Sequence, residues 1–328
     1  MRQGDSVSHY SARRPGARAR SDVTVARWIQ RTLKAEPPRA RSLIVTVWGD
    51  ALAPHGGTIW LAGLIRLMSA FGINERLVRT SVYRLARDGW LVAATHGRVS
   101  RYRLTREGKR RFDAAHQRIY ARPDDDWSGG WDVVMADAVP PAKRTALREE
   151  LVWAGFGALG PTVFVRPAQS SRTLPGALDA PGVAEHLLIA KAFDLPGRRP
   201  LTAAVAKAWD LSLLTAHYRR FLQRFGAVIE RFRATRDGAH DPQHCFVVRT
   251  MLIHAYRRVL LRDPLLPAAL LPLDWPGAAA YALCRDFYSL THRCAERHLA
   301  ATLANPHEDF PPADATFYER FGGLEDRG

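Results

Sequence analysis

Apolar positions along the chain change their period several times, and each change marks an element. Val25, Trp28, Ile29 and Leu33 repeat at helical spacing and predict a short amphipathic helix ending before Pro37. Leu43, Ile44, Val47, Trp48 and Ala51 predict a second helix, closed by Pro54 and the Gly56-Gly57 pair. Thr58–Trp60 reads as a short strand, and Leu61, Leu64, Ile65 and Met68 mark the buried face of the next helix. Asn74 is suited to cap a further helix through Asp88, with Gly89 to end it. Val78, Val82 and Leu85 form its apolar stripe, while Arg76, Thr80, Tyr83 and Arg87 share the opposite side, flanked by Arg79 and Arg84. Residues 89–105 then read as a β-hairpin turning near His96-Gly97 with a basic tip, followed by a basic helix from Arg106 to Arg118.

From residue 129 the pattern shortens. Strands are predicted at Trp131–Ala136, Phe156–Gly160, Thr162–Val165 and His186–Phe193, with a helix at Ala142–Trp153 after two prolines. This β-α-β-β order suggests a ferredoxin-like unit. Beyond residue 200 helical periods return: Phe221 to Phe232, Val248 to Val259 and Leu283 to Cys294 each carry an apolar stripe. The resulting expectation is a multidomain α+β chain. It comprises a basic arm with a short helix (1–37), a winged-helix domain (38–123), a ferredoxin-like central domain (124–200), a helical C-terminal domain (201–305) and a poorly ordered acidic tail (306–328).

Charge sharpens that division. Residues 1–123 carry 24 Lys and Arg against 8 Asp and Glu, and residues 124–328 carry 24 against 24, so the net +16 resides in the first third. Confined positive charge beside a recognition-type helix and a basic hairpin points to duplex DNA. On this reading Arg79, Thr80 and Tyr83 read bases, and Arg76, Arg84 and Arg87 make phosphate or mixed contacts. Arg98 and Arg101 on the wing contact phosphate or the minor groove, although Arg101 would equally serve only to solubilise its strand. The neutral remainder is left for sensing, and residues 124–328 are expected to fold without the basic part.

Other chemistry is thin. At 24% charged and 47% hydrophobic the composition is that of a globular chain, and no apolar run approaches the ~18–20 residues of a membrane helix. Three cysteines are too few for a disulfide framework, and no cleavable signal is evident, which suits the cytoplasm. His292, Cys294 and His298 lie close in sequence, but a buried cysteine beside surface histidines explains them without a metal. Asp137 ends the first central strand, where CRISPR-associated metal nucleases of similar fold place an acid; that supplies an alternative reading as a metal-dependent nuclease. Arg257, Arg258, Arg262 and Trp275 could hold a phosphate-bearing ligand or simply pack the connector, and no residue is assigned to an effector site.

Three stretches carry a family resemblance. They are INERLVRTSVYRLARDGWL with GRVSRYRLT, WDVVMADAVPPAKRTALREELVWAGFGALGPTVFVRP, and RDPLLPAALLPLDWPG with the helix after it. In this order they resemble the PaaX family of winged-helix repressors of phenylacetic acid degradation operons, from Arg41 to Leu299. The resemblance implies a cytoplasmic, non-enzymatic homodimer that binds a palindromic operator. It also implies release by an acyl-CoA effector, phenylacetyl-CoA in the family, while the residues themselves lead to the expectation of no metal or other cofactor.

Overall fold

The computed structural model describes residues 17–96, 99–121, 127–169, 182–194, 208–234, 240–304 and 310–324, with Leu178 and Val205 besides. The first helix, α1 (Ala17–Ala35), starts inside the stretch expected to be a disordered arm and buries Val25, Trp28 and Ile29. Helix α2 (Ala40–Val47) runs into a π-helical turn, Trp48–Leu52, and a 3-10 turn, Ala53–His55. Strand β1 (Thr58–Trp60), α3 (Leu61–Ser69), α4 (Glu75–Arg87), the hairpin β2 (Leu91–His96) and β3 (Val99–Leu104), and α5 (Arg106–Tyr120) follow. Their sheet has the order β1-β3-β2, all antiparallel, with Trp60 opposite Arg101 and Leu91 opposite Leu104.

The central unit contains β4 (Trp127–Met135), α6 (Pro141–Trp153), β5 (Gly157–Ala158), β6 (Val163–Gln169) and β7 (Leu188–Phe193). Its sheet order, β5-β6-β4-β7, is antiparallel throughout. Period-two alternation sorts the strand side chains. Val134, Phe164 and Ala136 pack with Leu147 and Leu151 of α6, whereas Trp131, Val133 and Val165 pack with Trp209, Leu266 and Leu270 of the C-terminal part. Residues 122–126 and most of 169–182 lie outside the described residues.

The C-terminal part is built on α7 (Leu211–Arg233), α8 (Pro242–Leu260) and α9 (Gly277–Leu303), followed by the short α10 (Ala315–Tyr318). Among the described residues no helix is long and apolar enough to cross a membrane.

Two features of the packing cut across the division read from charge and periodicity. The basic N-terminal third and the C-terminal helices, read from the sequence as separate domains, contribute to one hydrophobic core. Leu43, Ile44, Leu64, Val78 and Val82 belong to the same buried cluster as Phe225, Val248, Phe287 and Leu299. Helix α2 packs on both α4 and α8, and α3 packs on α9, so the division of charge is not a division of cores. The tail is also ordered where described. Phe317 is fully buried, Phe321 and Leu324 are nearly so, and Phe310 packs against the same core. Deleting a buried Phe ring typically costs about 3–5 kcal/mol, so Phe317 and Phe321 together anchor the segment to the core.

Candidate nucleic-acid interface

Helix α4 is formed and bounded by local chemistry. The Asn74 side chain accepts from the Leu77 amide at 3.0 Å, satisfying one open N-terminal donor. At the other end Gly89 adopts φ 73°, and the amides of Gly89 and Trp90 return to the carbonyls of Ala86 and Leu85. This is a left-handed helix stop that a side chain would strain. Thr105 fixes the hairpin to that stop: its hydroxyl donates to the Gly89 carbonyl at 2.6 Å and accepts from the Gly108 amide at 2.8 Å. Helix end, hairpin and α5 therefore meet at one threonine.

Val78, Ser81, Val82 and Leu85 bury one face of α4. Arg76, Arg79, Thr80, Tyr83, Arg84 and Arg87 are all exposed on the remainder, and Tyr83, at 67% exposure, packs little of its ring. The two sides are electrostatically unequal. Arg79 pairs with Glu75 at 2.7 Å, Arg87 lies 3.4 Å from Asp88, and Asp88 is also bound by Arg41 at 2.7 Å. Thr80 uses its hydroxyl to donate to the Arg76 carbonyl at 2.9 Å. Exposed pairs of this kind are weakly held and screened by salt, so they can be exchanged for a phosphate at small cost.

On the hairpin, Tyr102 and Leu104 turn toward the core while Arg101 and Arg103 share the outer face. Arg101 is half-buried with its guanidinium over the Trp60 ring, 5.4 Å from the centroid, which fixes it between strands. Arg98 lies outside the described residues. The sequence pattern had not singled out Arg103, which is more exposed than Arg101.

The π-helical turn after α2 carries a polar network with no periodic signature in the sequence. Asp50, in the π-helical turn after α2, is fully buried and accepts from the hydroxyls of Tyr120 at 2.6 Å and Tyr288 at 2.7 Å. Arg249 of α8 sits 3.3 Å from its other oxygen and donates to Glu296 of α9 at 3.0 Å. Arg320, past α10, donates to the Asp50 carbonyl at 2.8 Å and to the Tyr288 hydroxyl. His55 completes the set, bonding Glu296 at 2.8 Å and the Pro311 carbonyl at 2.7 Å. Both buried carboxylates thus face guanidiniums, so neither acid is left without a cationic partner. Burial raises the phenol pKa of both Tyr120 and Tyr288, keeping them as hydroxyl donors. For Glu296, burial favours the neutral acid, but His55 and Arg249 outweigh it and hold the carboxylate ionised. An Asp within SLIVTVWGDAL and an Arg within the apolar run of α8 were the available signals.

Other candidate residues find structural roles. Arg257 donates to the carbonyl and hydroxyl of Ser42 at 3.1 and 3.2 Å, tying α8 to α2, and Trp275 stacks edge-on against Tyr218. Asp137 is exposed on a turn. The buried acid of that strand is Asp132, bound by Arg166 at 3.1 Å and Lys191 at 3.3 Å, an environment that neutralises a carboxylate. Among the described residues no group of three His, Cys, Asp or Glu side chains could hold a metal ion.

Patterns of three linked families match this chain in order: PaaX-like protein at residues 39–108, the PaaX protein central Cas2-like domain at 124–202, and the PaaX-like protein C-terminal domain at 209–301. A curated relative, Transcriptional repressor PaaX of Escherichia coli strain K12, is 33% identical over 300 residues, spanning 90% of this chain and 94% of its own. The chain belongs to the PaaX family. A solved structure, an uncharacterized protein of Mycobacterium tuberculosis, is also similar, with TM-score 0.55 and 29% identity over 81% of this chain and 99% of that one. In PaaX terms, the first pattern covers α2 to the start of α5, and with it the whole of the exposed α4 face.

Proposed function

We propose that this chain is a DNA-binding transcriptional repressor of an aromatic catabolic operon. In this reading α4 enters the major groove, the β2-β3 hairpin lies along the adjoining backbone as a wing, and a homodimer spans a palindromic operator. The observation that carries the proposal is the α4 surface. Six exposed polar or basic side chains, Arg76, Arg79, Thr80, Tyr83, Arg84 and Arg87, ring a helix whose other face is buried. An α-helix of this kind fits the major groove, where Arg pairs with guanine edges and with phosphates. The repressor named among its relatives, alike over nearly the whole length, supports the same reading.

Release is assigned to an acyl-CoA thioester, phenylacetyl-CoA in the first instance, acting without metal or other cofactor. The test is a labelled operator fragment bound by the full-length protein and titrated separately with phenylacetate, coenzyme A and phenylacetyl-CoA. Dissociation by the thioester alone supports the reading. Operator binding unaffected by all three compounds removes the effector, and shortening of the DNA in the presence of a divalent metal favours a nuclease.

A further inference from the structure

A cleft of about 370 Å³ opens between α9 and α10. Small-molecule sites usually enclose ~300–1,000 Å³, so this one suits a compact ligand or one end of a longer one. Arg293, Glu296, Arg297 and Ala300 line one wall from successive turns of α9, and Phe317 and Tyr318 form the other. Arg293 and Arg297 are exposed, one turn apart, and the Tyr318 ring is half exposed beside the buried Phe317. Glu296, the acid in the lining, is already engaged by Arg249 and His55, so it does not set the sign of the cleft. Arg297 donates to the Cys294 sulfur at 3.4 Å from one of its two terminal nitrogens.

We propose that this α9–α10 cleft is the effector site, taking a ligand that carries both a phosphate and a planar aromatic ring. The inference rests on the reading of this chain as a ligand-released repressor and places its receptor. Guanidiniums bind phosphate oxygens through paired, charge-assisted bonds. A flat ring on the same ligand stacks on Tyr318, with Phe317 as the apolar floor.

The same cleft is wired to the DNA face. Phe317 and Tyr318 precede Arg320 by three and two residues, and Arg320 holds the carbonyls of Gly49 and Asp50 at 3.2 and 2.8 Å. Glu296 reaches the same turn through Arg249. That turn continues α2, which packs on α4. A ring wedged against Tyr318 displaces α10, and with it the group that fixes the end of α2. Coupling then runs through packed, hydrogen-bonded neighbours.

Calorimetry on the full-length protein tests this with adenosine 3′,5′-bisphosphate, coenzyme A and phenylacetyl-CoA as probes. Arg293→Glu with Arg297→Glu should weaken binding of each probe roughly tenfold or more, the scale of a lost bond to a charged group. Ala300→Trp, at an exposed position, should block the cleft with the fold retained. Both variants should remain folded, each with a single cooperative melting transition. Wild-type probe affinity in the folded Ala300→Trp and double-Glu proteins overturns the cleft. If phenylacetyl-CoA still releases the operator from those variants, the repressor reading survives and the site lies elsewhere. Charge-sensitive bisphosphate binding with no release by any thioester leaves the cleft standing and removes the assigned effector. Failure of all three probes to bind wild-type protein at millimolar concentration overturns the cleft outright.

Discussion

Arg320 donates to the main-chain carbonyl of Asp50 across 270 positions of sequence, and both residues are almost wholly removed from solvent. Its guanidinium also lies 4.2 Å over the Tyr120 ring and 4.9 Å from that of Phe317. The last described segment is thereby tied to the turn that continues α2, which packs on α4. Removing one member of a buried, matched charge set leaves the others uncompensated, which typically costs about 3–5 kcal/mol. Arg320→Ala is therefore expected to lower the urea midpoint strongly and to weaken operator binding. Loss of stability confined to a few tenths of a kcal/mol would contradict the network.

On α4, Arg79→Ala should cost roughly 1–3 kcal/mol on the operator and relax base preference. Arg87→Ala should weaken all duplexes alike and reduce the salt slope by about one unit. Fluorescence anisotropy at several salt concentrations separates the two. Equal, sequence-independent losses would show the roles to be wrongly divided.

Glu75 restrains Arg79 in the free protein. Glu75→Gln frees that guanidinium and removes a negative charge from the α4 surface. Non-operator duplex should then bind severalfold more tightly at low salt, with the difference vanishing as salt screens it. An unchanged affinity would mean that α4 lies away from the phosphates.

The shared core predicts that residues 124–328 do not fold cooperatively by themselves. Without α2 and α3, apolar surface of α8 and α9 is left open. The isolated fragment should bind a hydrophobic dye and lack a sharp melting transition, whereas co-expression with residues 1–123 should recover soluble protein. A sharp transition in the fragment alone would restore the two-domain division suggested by charge.

Acid should destabilise the chain through two histidines. Burial, aided by Arg257 and Arg258, pushes His254 down to about 3, and burial with Arg320 pushes His116 down to about 4. The unfolded state, titrating near 6.5, then binds more protons than the folded one between those values. Their contribution is fully present above about pH 6.5 and is lost as pH falls toward 3–4, at up to ~1.4 kcal/mol per pH unit for each group. Thermal melts from pH 7 to pH 5 should show the decline, and His254→Gln should flatten it. His254 Nδ1 is 2.8 Å from the Thr46 hydroxyl, so the amide retains a partner.

Periodicity made α2 through α5, the hairpin and the central strands legible, because each has an apolar stripe of its own: Val78, Val82 and Leu85 sufficed to orient α4. It could not show that α2 and α8 share a core, since a stripe specifies a buried face but not what covers it. The tail was misread for a related reason. Four anchors, Phe317, Arg320, Phe321 and Leu324, are too few and too irregular to register as a period, yet each is buried. Arg101 was placed on the correct strand, but its cross-strand neighbour Trp60, which takes up its guanidinium, depends on register.

The tie between Arg320 and Asp50 also has a consequence for synthesis. Ribosomes add about 5–20 residues per second, so the turn after α2 waits roughly 15–50 s between its own emergence and that of its last partner. During that interval Asp50 lacks one of its guanidiniums and the core lacks Phe317 and Phe321. A chain that stops short of residue 317 never acquires them, so its folding is left unfinished at the turn that continues α2.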